Sequence, residues 1–269
     1  MRLSEARVVL TGASGGIGLA IAEELCRNGA QVLAVSRRKE PLQALLEAYP
    51  QQLIWVQADL STQEGRQHVL LSAQAMSYVN LLINAAGSNH FAMLEQLSDN
   101  DVSSMLNLNI QAPILLTGLM LPMLKQANSA MVVNVGSTYG SIGYAGYATY
   151  CATKFALRGF SEALRRELAD TRVGVLYVAP RATRTLMNSP AAQALNDELK
   201  ANVDDPRHVA QAVIHAIAGD RRELYLGWPE RFFVRLNSIL PSLVDRGLRK
   251  HLPLIRRLSA RIPEEKTKP

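Results

Sequence analysis

The feature that most constrains the fold is a glycine-rich turn between a strand and a helix near the start of the chain. Arg7–Thr11 is a short apolar run, and Leu19–Cys26 has the apolar spacing of a helix. Between them lies the spacing Gly-x-x-x-Gly-x-Gly, formed by Gly12, Gly16 and Gly18. Glycine lets backbone approach a phosphate closely, and a helix N-terminus presents unpaired N–H groups to an anion. The pattern therefore predicts a nucleotide-binding strand–turn–helix, and a glycine-rich turn without a ligand is the alternative.

The alternation of strand and helix continues along the chain. Further strands are predicted at residues 31–36, 53–57, 79–84, 130–136, 173–178 and 223–226, with helical stretches of ten or more residues between most of them. This alternation predicts a Rossmann-type, doubly wound parallel α/β sheet with helices on both faces. Ligands of such a sheet bind beyond the carboxyl ends of its strands. Asp59, Asn84, Ser137 and Pro180 all follow predicted strand ends.

The end of the second predicted strand bears on the choice of dinucleotide. An acidic residue there would accept a hydrogen bond from the adenosine ribose and repel a 2′-phosphate. This chain has Ser36, Arg37 and Arg38 instead. Because guanidinium groups bind phosphate, the sequence favours NADP(H) over NAD(H), with a solvated basic turn as the alternative.

A tyrosine and a lysine stand four residues apart in a predicted helix. Residues with this spacing share a helix face, so the Tyr150 phenol and the Lys154 ammonium can meet. A neighbouring cation lowers the pKa of a phenol, which would provide a proton donor and acceptor near neutral pH. The spacing alone is common in helices, and a surface tyrosine stacked on a lysine stem is the alternative.

Taken together, these motifs resemble those of the classical short-chain dehydrogenase/reductase family over about residues 7–185. The motifs are Thr11-Gly12-x-x-x-Gly16-x-Gly18, Asp59-Leu60, Asn84-Ala85-Ala86-Gly87, Asn109, Ser137 and Tyr150-x-x-x-Lys154. Ser137 lies thirteen residues before Tyr150, which is the usual interval in that family. Each motif is weak by itself, but their order and spacing together are specific.

The resemblance implies a set of residue roles. Tyr150 would protonate a carbonyl oxygen as hydride arrives from the nicotinamide, or act as a base in reverse. Lys154 would lower the phenol pKa and bind the nicotinamide ribose, while Ser137 would donate to the reacting oxygen. Asn109 would hold a water in a proton relay. The cofactor-binding residues expected are Gly12, Ser14, Gly16, Ile17, Gly18, Ser36, Arg37, Arg38, Asp59, Leu60, Asn84, Ala85, Ala86, Gly87, Tyr150, Lys154, Pro180, Thr183 and Thr185.

Two positions depart from the family pattern. Ala85 stands where the family usually has asparagine, which is a mild change. Arg181 follows Pro180 where the family commonly has glycine. Its side chain has three candidate roles: binding a cofactor phosphate, binding an acidic substrate, or pointing into solvent.

The chain continues for more than forty residues beyond Gly227, where the family fold would usually end. Residues 1–227 are expected to form the Rossmann-type domain, 228–262 a basic amphipathic extension and 263–269 a disordered tail. Pro241 and Pro253 predict breaks that divide the extension into three short helices. The net charge of +6 is concentrated here, because residues 221–269 hold twelve Lys or Arg and five Asp or Glu. The extension is expected to lie on an anionic membrane or to pack on the body, the substrate pocket or a second subunit.

These observations lead to one function and one alternative. The first is NADPH-dependent reduction of a ketone or aldehyde, or oxidation of the alcohol, in an apolar, lipid-like substrate beneath a covering segment at residues 188–202. The alternative is an NADP(H)-binding regulatory or membrane-associated scaffold with little turnover. A homodimer or homotetramer is expected, and nucleic acid is not, because no reader motif accompanies the charge.

The cellular setting follows from what the sequence lacks. The chain begins without a signal-peptide apolar region, and no uninterrupted apolar run reaches membrane-spanning length. Cys26 and Cys151 stand far apart without metal-ligand spacing, so neither a disulfide nor a metal site is expected. A cytoplasmic protein, with peripheral membrane contact as an open alternative, is the expectation.

Overall fold

The computed structural model describes residues 1–260 and contains one parallel sheet. Its strands are β1 (Arg7–Thr11), β2 (Gln31–Ser36), β3 (Leu53–Gln57), β4 (Leu81–Asn84), β5 (Ala130–Val135), β6 (Val173–Ala179) and β7 (Glu223–Tyr225). They lie in the order β3-β2-β1-β4-β5-β6-β7, and all neighbours are parallel. The predicted Rossmann-type fold is confirmed.

Helices connect the strands and extend beyond the last one. They are α1 (Gly16–Arg27), α2 (Gln43–Ala48), α3 (Gln63–Gln74), α4 (Asp99–Leu106), α5 (Ala112–Gln126), α6 (Ala148–Glu167), α7 (Pro190–Glu198), α8 (Pro206–Ala218), α9 (Trp228–Ile239), α10 (Pro241–Leu248) and α11 (Leu252–Ser259). A π-helical turn, Asn107–Gln111, joins α4 to α5. The sequence did not predict α2 or α7.

Short polar side chains explain where several helices begin. Thr62 Oγ1 accepts from Gly65 N at the start of α3, and Ser98 and Asp101 form a reciprocal cap on α4. Ser189 caps α7 and Asp205 caps α8, each followed by proline at the first helical position. Each cap satisfies an N–H that has no partner within its helix.

The core consists of two apolar layers, one on each face of the sheet. Helices α1 and α8 pack on one face, through residues such as Ile21, Leu25 and Val213. Helices α3, α5 and α6 cover the other face. The central strands are buried on both faces, which explains their nearly continuous apolar sequences.

The helical segment Asp99–Gln126 is the most apolar element of the described chain. By length and composition alone it could cross a membrane, with a mean hydropathy of 1.3 over its best window. Leu116, Met120 and Leu124 are fully buried against the sheet, as is typical of a core helix.

The chain order creates a crevice at the carboxyl ends of β1 and β4. The first three strands extend in one direction from β1, and the later strands extend in the other from β4. This reversal separates the two connecting segments and is where open α/β sheets bind ligands.

The extension packs on the body through a few apolar side chains. Val234, Val244, Ile255 and Leu258 are buried, and α11 contacts α7. Its division into three helices follows the predicted breaks. The predicted disordered tail at residues 263–269, with Arg261 and Ile262 before it, lies outside the described residues.

Candidate active site

The glycine-rich turn presses three chain segments together at the crevice. Gly12 has a φ of +66°, and a Cβ there would lie 2.7 Å from the Ala86 backbone. A Cβ at Gly18 would lie 2.1 Å from Gly12 O, and one at Gly16 would lie 2.7 Å from Thr185 Cγ2. Only glycine fits these contacts. No side chain caps the start of α1. The first N–H groups of this helix are therefore available to bind an anion in the crevice.

A cavity of about 600 Å³ extends from this turn along the strand ends. The predicted cofactor residues that line it are Gly12, Ser14, Ser36, Arg37, Arg38, Asp59, Leu60, Ala85, Ala86 and Gly87. Residues that the sequence did not single out, among them Gly15, Ser88, His90 and Asp101, complete the wall. The structure thus brings the turn, the basic residues and the end of β4 around one space.

The basic end of β2 is held by neighbouring side chains. Ser36 Oγ donates to Arg38 O at 2.7 Å and accepts from Trp55 Nε1 at 3.0 Å. Gln57 Nε2 donates to Arg37 O at 3.2 Å. The Ser36 hydroxyl is therefore engaged internally, and the exposed Arg37 and Arg38 supply the positive charge of this cavity wall.

Asp59 stays ionised at the same wall. Its carboxylate accepts from Ser61 Oγ at 2.7 Å and from Ser61 N at 2.9 Å. These bonds, with a smaller effect of the Arg37 charge, lower the pKa of Asp59 below its usual range. The residue thus acts as a turn-forming carboxylate and also lines the cavity.

The catalytic candidates meet where α6 passes the end of β5. Lys154 Nζ lies 5.6 Å from the centre of the Tyr150 ring and donates to Val135 O at 3.0 Å. A Cβ added at Gly87 would lie 3.7 Å from Lys154 Nζ, so the ammonium sits directly behind the first cavity. Ser137 caps the turn after β5, where its Oγ accepts from Tyr139 N at 3.1 Å.

The pKa of Tyr150 differs in direction from the sequence prediction. Burial raises the pKa of Tyr150 to about 12, and the hydrogen bond with Ser137 opposes this shift only in part. Burial also lowers the pKa of Lys154 to about 8. The expectation of a phenol pKa lowered by Lys154 is therefore wrong for the described chain, because the loss of hydration on burial is the largest effect on this group.

Asn109 lies in the π-helical turn and is fully buried. Its Oδ1 accepts from Ser88 N at 2.8 Å, while its Nδ2 donates to Ser88 O at 2.9 Å and to Thr153 Oγ1 at 3.1 Å. A π turn inside an α-helix is frequently found at functional sites. The side chain ties the wall of the first cavity to α6, so its amide acts as a brace, and its predicted role in holding a water stays a prediction.

A second cavity of about 470 Å³ is lined by Tyr150. The predicted residues that line it are Ile17, Ser137, Tyr150, Pro180, Thr183 and Thr185. Met187 lines both cavities, so the two spaces are neighbours. Five predicted residues line neither cavity and lie behind the walls. They are Gly16, Gly18, Asn84, Asn109 and Lys154.

The C-terminal extension supplies part of this second cavity. Glu230 and Phe233 of α9 and His251 before α11 line it, opposite an aromatic group formed by Tyr139, Tyr144 and Tyr147. Tyr144 Oη lies 3.1 Å from His251 Nδ1. Of the roles considered for the extension, packing on the body at the second cavity is the one that these contacts support.

Arg181 is engaged in ion pairs within the protein. Its guanidinium binds Asp204 at 2.7 Å and Glu230 at 3.3 Å, and only 20% of the side chain is exposed. The side chain does not point into solvent, and the binding of a cofactor phosphate or an acidic substrate stays a prediction. The residue connects the end of β6 to α9 through this ion pair, and both partners line the second cavity.

The comparisons with known proteins agree with this arrangement. The family profile for short chain dehydrogenases matches residues 6–196, which is most of the chain.

The chain belongs to the short-chain dehydrogenase/reductase family.

It is thus an oxidoreductase of that family. A relative from Vibrio cholerae, named as a 3-oxoacyl-[acyl-carrier-protein] reductase, is 30% identical over 223 residues, covering 79% of this chain and 90% of that protein. The solved structure of a short chain dehydrogenase from Burkholderia cenocepacia in complex with NADP is 25% identical, with a TM-score of 0.79 over 92% of this chain and 99% of that one. Another from Burkholderia phymatum, in complex with NAD, shares the fold at 21% identity, with a TM-score of 0.81 over 95% and 97% of the two chains.

In this short-chain dehydrogenase, sequence reasoning missed a buried tyrosine that holds Ser137. Tyr177 Oη donates to Ser137 O at 3.2 Å and accepts from Ser137 N at 3.4 Å. Its ring fills the space beside Gly136 and Gly140, where added Cβ atoms would lie 2.3 Å from it. Tyr177 lies on β6 in register with Asn134 of β5, and only the strand pairing reveals its closeness to Ser137.

Asn84 lies in a second buried network of this short-chain dehydrogenase. Its Nδ2 donates to Thr117 Oγ1 at 3.1 Å and to Asn134 Oδ1 at 2.8 Å, and Asn134 Nδ2 donates to Ser161 Oγ at 2.8 Å. The Asn84 side chain therefore joins β4, β5 and the flanking helices and does not face either cavity. The cofactor side of this motif is formed by Ala85, Ala86 and Gly87.

Proposed function

We propose that this oxidoreductase reduces a ketone or aldehyde with NADPH, or oxidises the corresponding alcohol with NADP⁺. The observation that carries the proposal is that Tyr150 and Ser137 line a cavity that shares Met187 with the cavity at the glycine-rich turn. Arg37 and Arg38 line the first, while Ser137 and Tyr150 line the second. A dinucleotide in the first cavity and a carbonyl compound in the second would meet at Tyr150.

The residues of the first cavity fit a dinucleotide phosphate. The glycine turn leaves no room for side chains, and the start of α1 lacks a side-chain cap, so backbone N–H groups would bind the diphosphate. Arg37 and Arg38 would bind a 2′-phosphate, and Lys154 would bind the nicotinamide ribose. When bound, the cofactor supplies or accepts the hydride.

The chain's own residues would manage the proton. With its pKa raised to about 12, Tyr150 keeps its proton at neutral pH and is suited to donate it to a carbonyl oxygen. Ser137 would donate a hydrogen bond to the same oxygen and stabilise the developing negative charge. Lys154 would bring a positive charge close to the ring, which helps the phenol when it loses its proton.

An apolar substrate is supported by the lining of the second cavity. Its aromatic and aliphatic side chains are Ile17, Tyr139, Tyr144, Tyr147, Met187, Leu195, Leu199 and Phe233. Polar side chains, among them Asn89, Arg181, Asn188, Asn196, Lys200, Asn202 and Glu230, complete the lining. Such a surface binds an aliphatic chain or an apolar ring more strongly than a small charged compound.

Replacement of Tyr150 by phenylalanine tests the reaction. NADPH oxidation on a panel of aliphatic ketones, 3-oxoacyl thioesters and cyclic ketones should fall by about a hundredfold or more, because a positioned acid contributes on this scale. NADPH affinity, measured by fluorescence titration, should stay within a few-fold. Tyr78→Phe, at an exposed site remote from both cavities, is the matched control.

Two results would contradict this proposal. Turnover retained by Tyr150→Phe would exclude the phenol as the proton donor. Tight NADPH binding by the wild type without turnover on any member of the panel would favour the regulatory or scaffold alternative.

Replacement of Arg37 tests the choice of cofactor. Arg37→Asp should raise the KM for NADPH by tenfold or more and leave the KM for NADH equal or lower, because a carboxylate repels the 2′-phosphate. Arg27→Asp, on an exposed helix end, controls for the change in net charge. An unchanged ratio of the two KM values would show that Arg37 does not read the 2′-phosphate.

We also propose that the protein acts in the cytoplasm as a homodimer or homotetramer. The exposed apolar side chains Leu106, Ile114, Leu115 and Phe155 on α4, α5 and α6 support self-association. The substrate and cofactor are the small-molecule partners of this proposal.

A further inference from the structure

Helix α9 uses two polar side chains for its contacts with the body and exposes most of its large apolar side chains. On the inner side, Glu230 binds Arg181 and Asn237 Nδ2 donates to Ser141 O at 3.0 Å, with Val234 buried between them. On the outer side, Trp228 is 77% exposed and Ile239 is 76% exposed. A helix that merely packed on a soluble body would present its apolar face inward.

The outward residues form one continuous stripe that mixes apolar and basic side chains. Trp228, Phe232, Arg235 and Ile239 recur at helical spacing along α9, which places them on one face. The stripe continues past Ile239 into the start of α10. We call this set the extension surface, and it consists of Trp228, Arg231, Phe232, Arg235, Ile239, Leu240, Leu243 and Arg246.

The charge of the extension is strongly positive and largely uncompensated. Residues 228–260 contain seven Lys or Arg and two Asp or Glu. Glu230 is engaged with Arg181. Among residues 1–260, Arg231, Arg235 and Arg246 form no ion pair. Exposed aromatic and aliphatic side chains flanked by arginines match the boundary of an anionic bilayer, where rings enter the headgroup region and arginines bind lipid phosphates.

We propose that the extension surface binds the surface of an anionic lipid bilayer. A second copy of this chain is the competing occupant. A symmetric interface would bring the same surface of each copy together, so that Arg231, Arg235 and Arg246 of one would face like charges of the other. A bilayer with anionic headgroups offers the opposite charge and therefore complements the surface.

The same geometry connects the bilayer to the second cavity. Phe233 and Met187 line that cavity, and both are close to half exposed. Phe233 also packs edge-on against Phe232 of the extension surface, with ring centres 5.7 Å apart. Docking would thus bring the mouth of the cavity to the lipid boundary. This consequence, unlike the docking itself, rests on the proposed reaction with an apolar substrate.

Vesicle sedimentation of the full-length protein tests the docking. Two vesicle types serve as probes, one of equal parts phosphatidylglycerol and phosphatidylcholine and one of phosphatidylcholine alone. The wild type should partition at least tenfold more strongly to the anionic vesicles at low salt.

The double variant Trp228→Glu/Ile239→Glu should bind the anionic vesicles at least tenfold more weakly than the wild type. Arg231→Gln and Arg235→Gln should each lose about fivefold. Leu71→Glu is the matched control, since Leu71 is an exposed leucine, 62% accessible, on the remote helix α3.

Tryptophan fluorescence gives an independent readout of insertion. Trp228 is largely exposed, so its emission should shift to the blue when anionic vesicles are added. Trp228→Phe should abolish this shift, whereas Leu71→Glu should show the same shift as the wild type. A blue shift of equal size in Trp228→Phe would overturn insertion at this position.

Three results would overturn the proposal. They are absence of wild-type binding to anionic vesicles at low salt, unchanged binding of Trp228→Glu/Ile239→Glu, and conversion of a dimer to a monomer by that variant without any vesicle binding in the wild type.

NADPH oxidation of a soluble carbonyl compound in vesicle-free buffer separates membrane docking from the proposed reaction. Trp228 and Ile239 line neither cavity, so the double variant should keep wild-type turnover there.

Discussion

The residues around Ser137 show how a buried side chain can set the geometry of a reacting group. Ser137 occupies a turn whose backbone N–H and C=O both contact the Tyr177 hydroxyl. The contact is buried, and Gly136 and Gly140 leave just enough space for the ring. Tyr177 is thus a positioning residue for the proposed reaction and does not line the substrate cavity.

Tyr177→Phe should lower kcat about tenfold and leave the KM for NADPH unchanged, because Ser137 loses its alignment with the reacting oxygen. The lost hydrogen bonds should also cost about 1–3 kcal/mol of unfolding free energy, since buried groups are left unpaired. Steady-state kinetics and urea denaturation measure the two effects. Tyr78→Phe is the control, and a purely structural role would lower stability without altering kcat.

Lys154 predicts a specific pH dependence of stability. Its folded pKa of about 8 lies below its model-compound value of 10.5, because burial disfavours the charged form. Between these values the unfolded chain binds more protons than the folded chain, so this contribution to stability rises with pH. The pKa of Tyr150 is raised from 10.0 to about 12, so its contribution is complete below pH 10 and is lost as the pH rises further.

Urea denaturation of the wild type and Lys154→Met between pH 7 and pH 10 checks this sign. The stability of the wild type relative to the variant should increase over the window, by on the order of 3 kcal/mol when titration is complete. Lys125→Met, at the exposed end of α5, is the control. A difference that stays constant with pH would show that Lys154 titrates normally.

At the scale of elements, Arg181 joins three segments that are far apart in the sequence. It follows β6, binds Asp204 before α8 and binds Glu230 in α9. Gly227 immediately precedes α9 and has a φ of +89°. A Cβ there would lie 2.1 Å from Glu230 Oε2. The extension therefore enters its position through a conformation that only glycine accepts easily, and the ion pairs hold it there.

A double-mutant cycle on Arg181 and Glu230 measures this connection. Arg181→Gln and Glu230→Gln should each lower the free energy of unfolding by about 1–2 kcal/mol, with a coupling of at least about 0.5 kcal/mol. Their partly buried position should make the pair stronger than a surface pair.

The control for this cycle is the exposed pair Arg2 and Glu5, whose side chains are 83% and 63% accessible. Its coupling should be close to zero. Equal coupling in the two cycles, measured by urea denaturation, would show that Arg181 does not fasten α9 to the body.

At the scale of the whole molecule, exposed apolar side chains of residues 1–260 gather in two separate regions. One is the extension surface, with its arginines. The other lies on helices α4, α5 and α6 and includes Leu106, Ile114, Leu115 and Phe155, which are between 36% and 43% exposed. The second region carries fewer cations and is better suited to contact between copies of the chain.

Phe155→Glu should reduce the homo-oligomer to smaller species, because a carboxylate at an apolar interface is costly to desolvate. Sedimentation velocity of the full-length protein measures the change. Ile54→Glu, on the opposite edge of the sheet and 54% exposed in the wild type, is the control. A wild-type monomer, or an oligomer unaffected by Phe155→Glu, would contradict this assignment.

Local pattern was sufficient for much of the architecture. The alternation of apolar strands and amphipathic helices predicted all seven strands, and the glycine spacing identified the turn at the crevice, because each depends on residues that are close in sequence. Most of the predicted cofactor residues line the first cavity for the same reason, since strand ends meet at one edge of a parallel sheet.

The tertiary structure alone decided the properties that depend on burial and on distant neighbours. Sequence spacing suggested a phenol with a lowered pKa, but the extent of burial raises the pKa of Tyr150. Neither the partners of Arg181 nor the contact of Tyr177 with Ser137 could be read from spacing, because each joins segments more than twenty residues apart. The exposed face of α9 was likewise decided by the tertiary contacts of Glu230 and Asn237 with the body. Helical periodicity defines the two faces of a helix but does not determine which one packs on the protein.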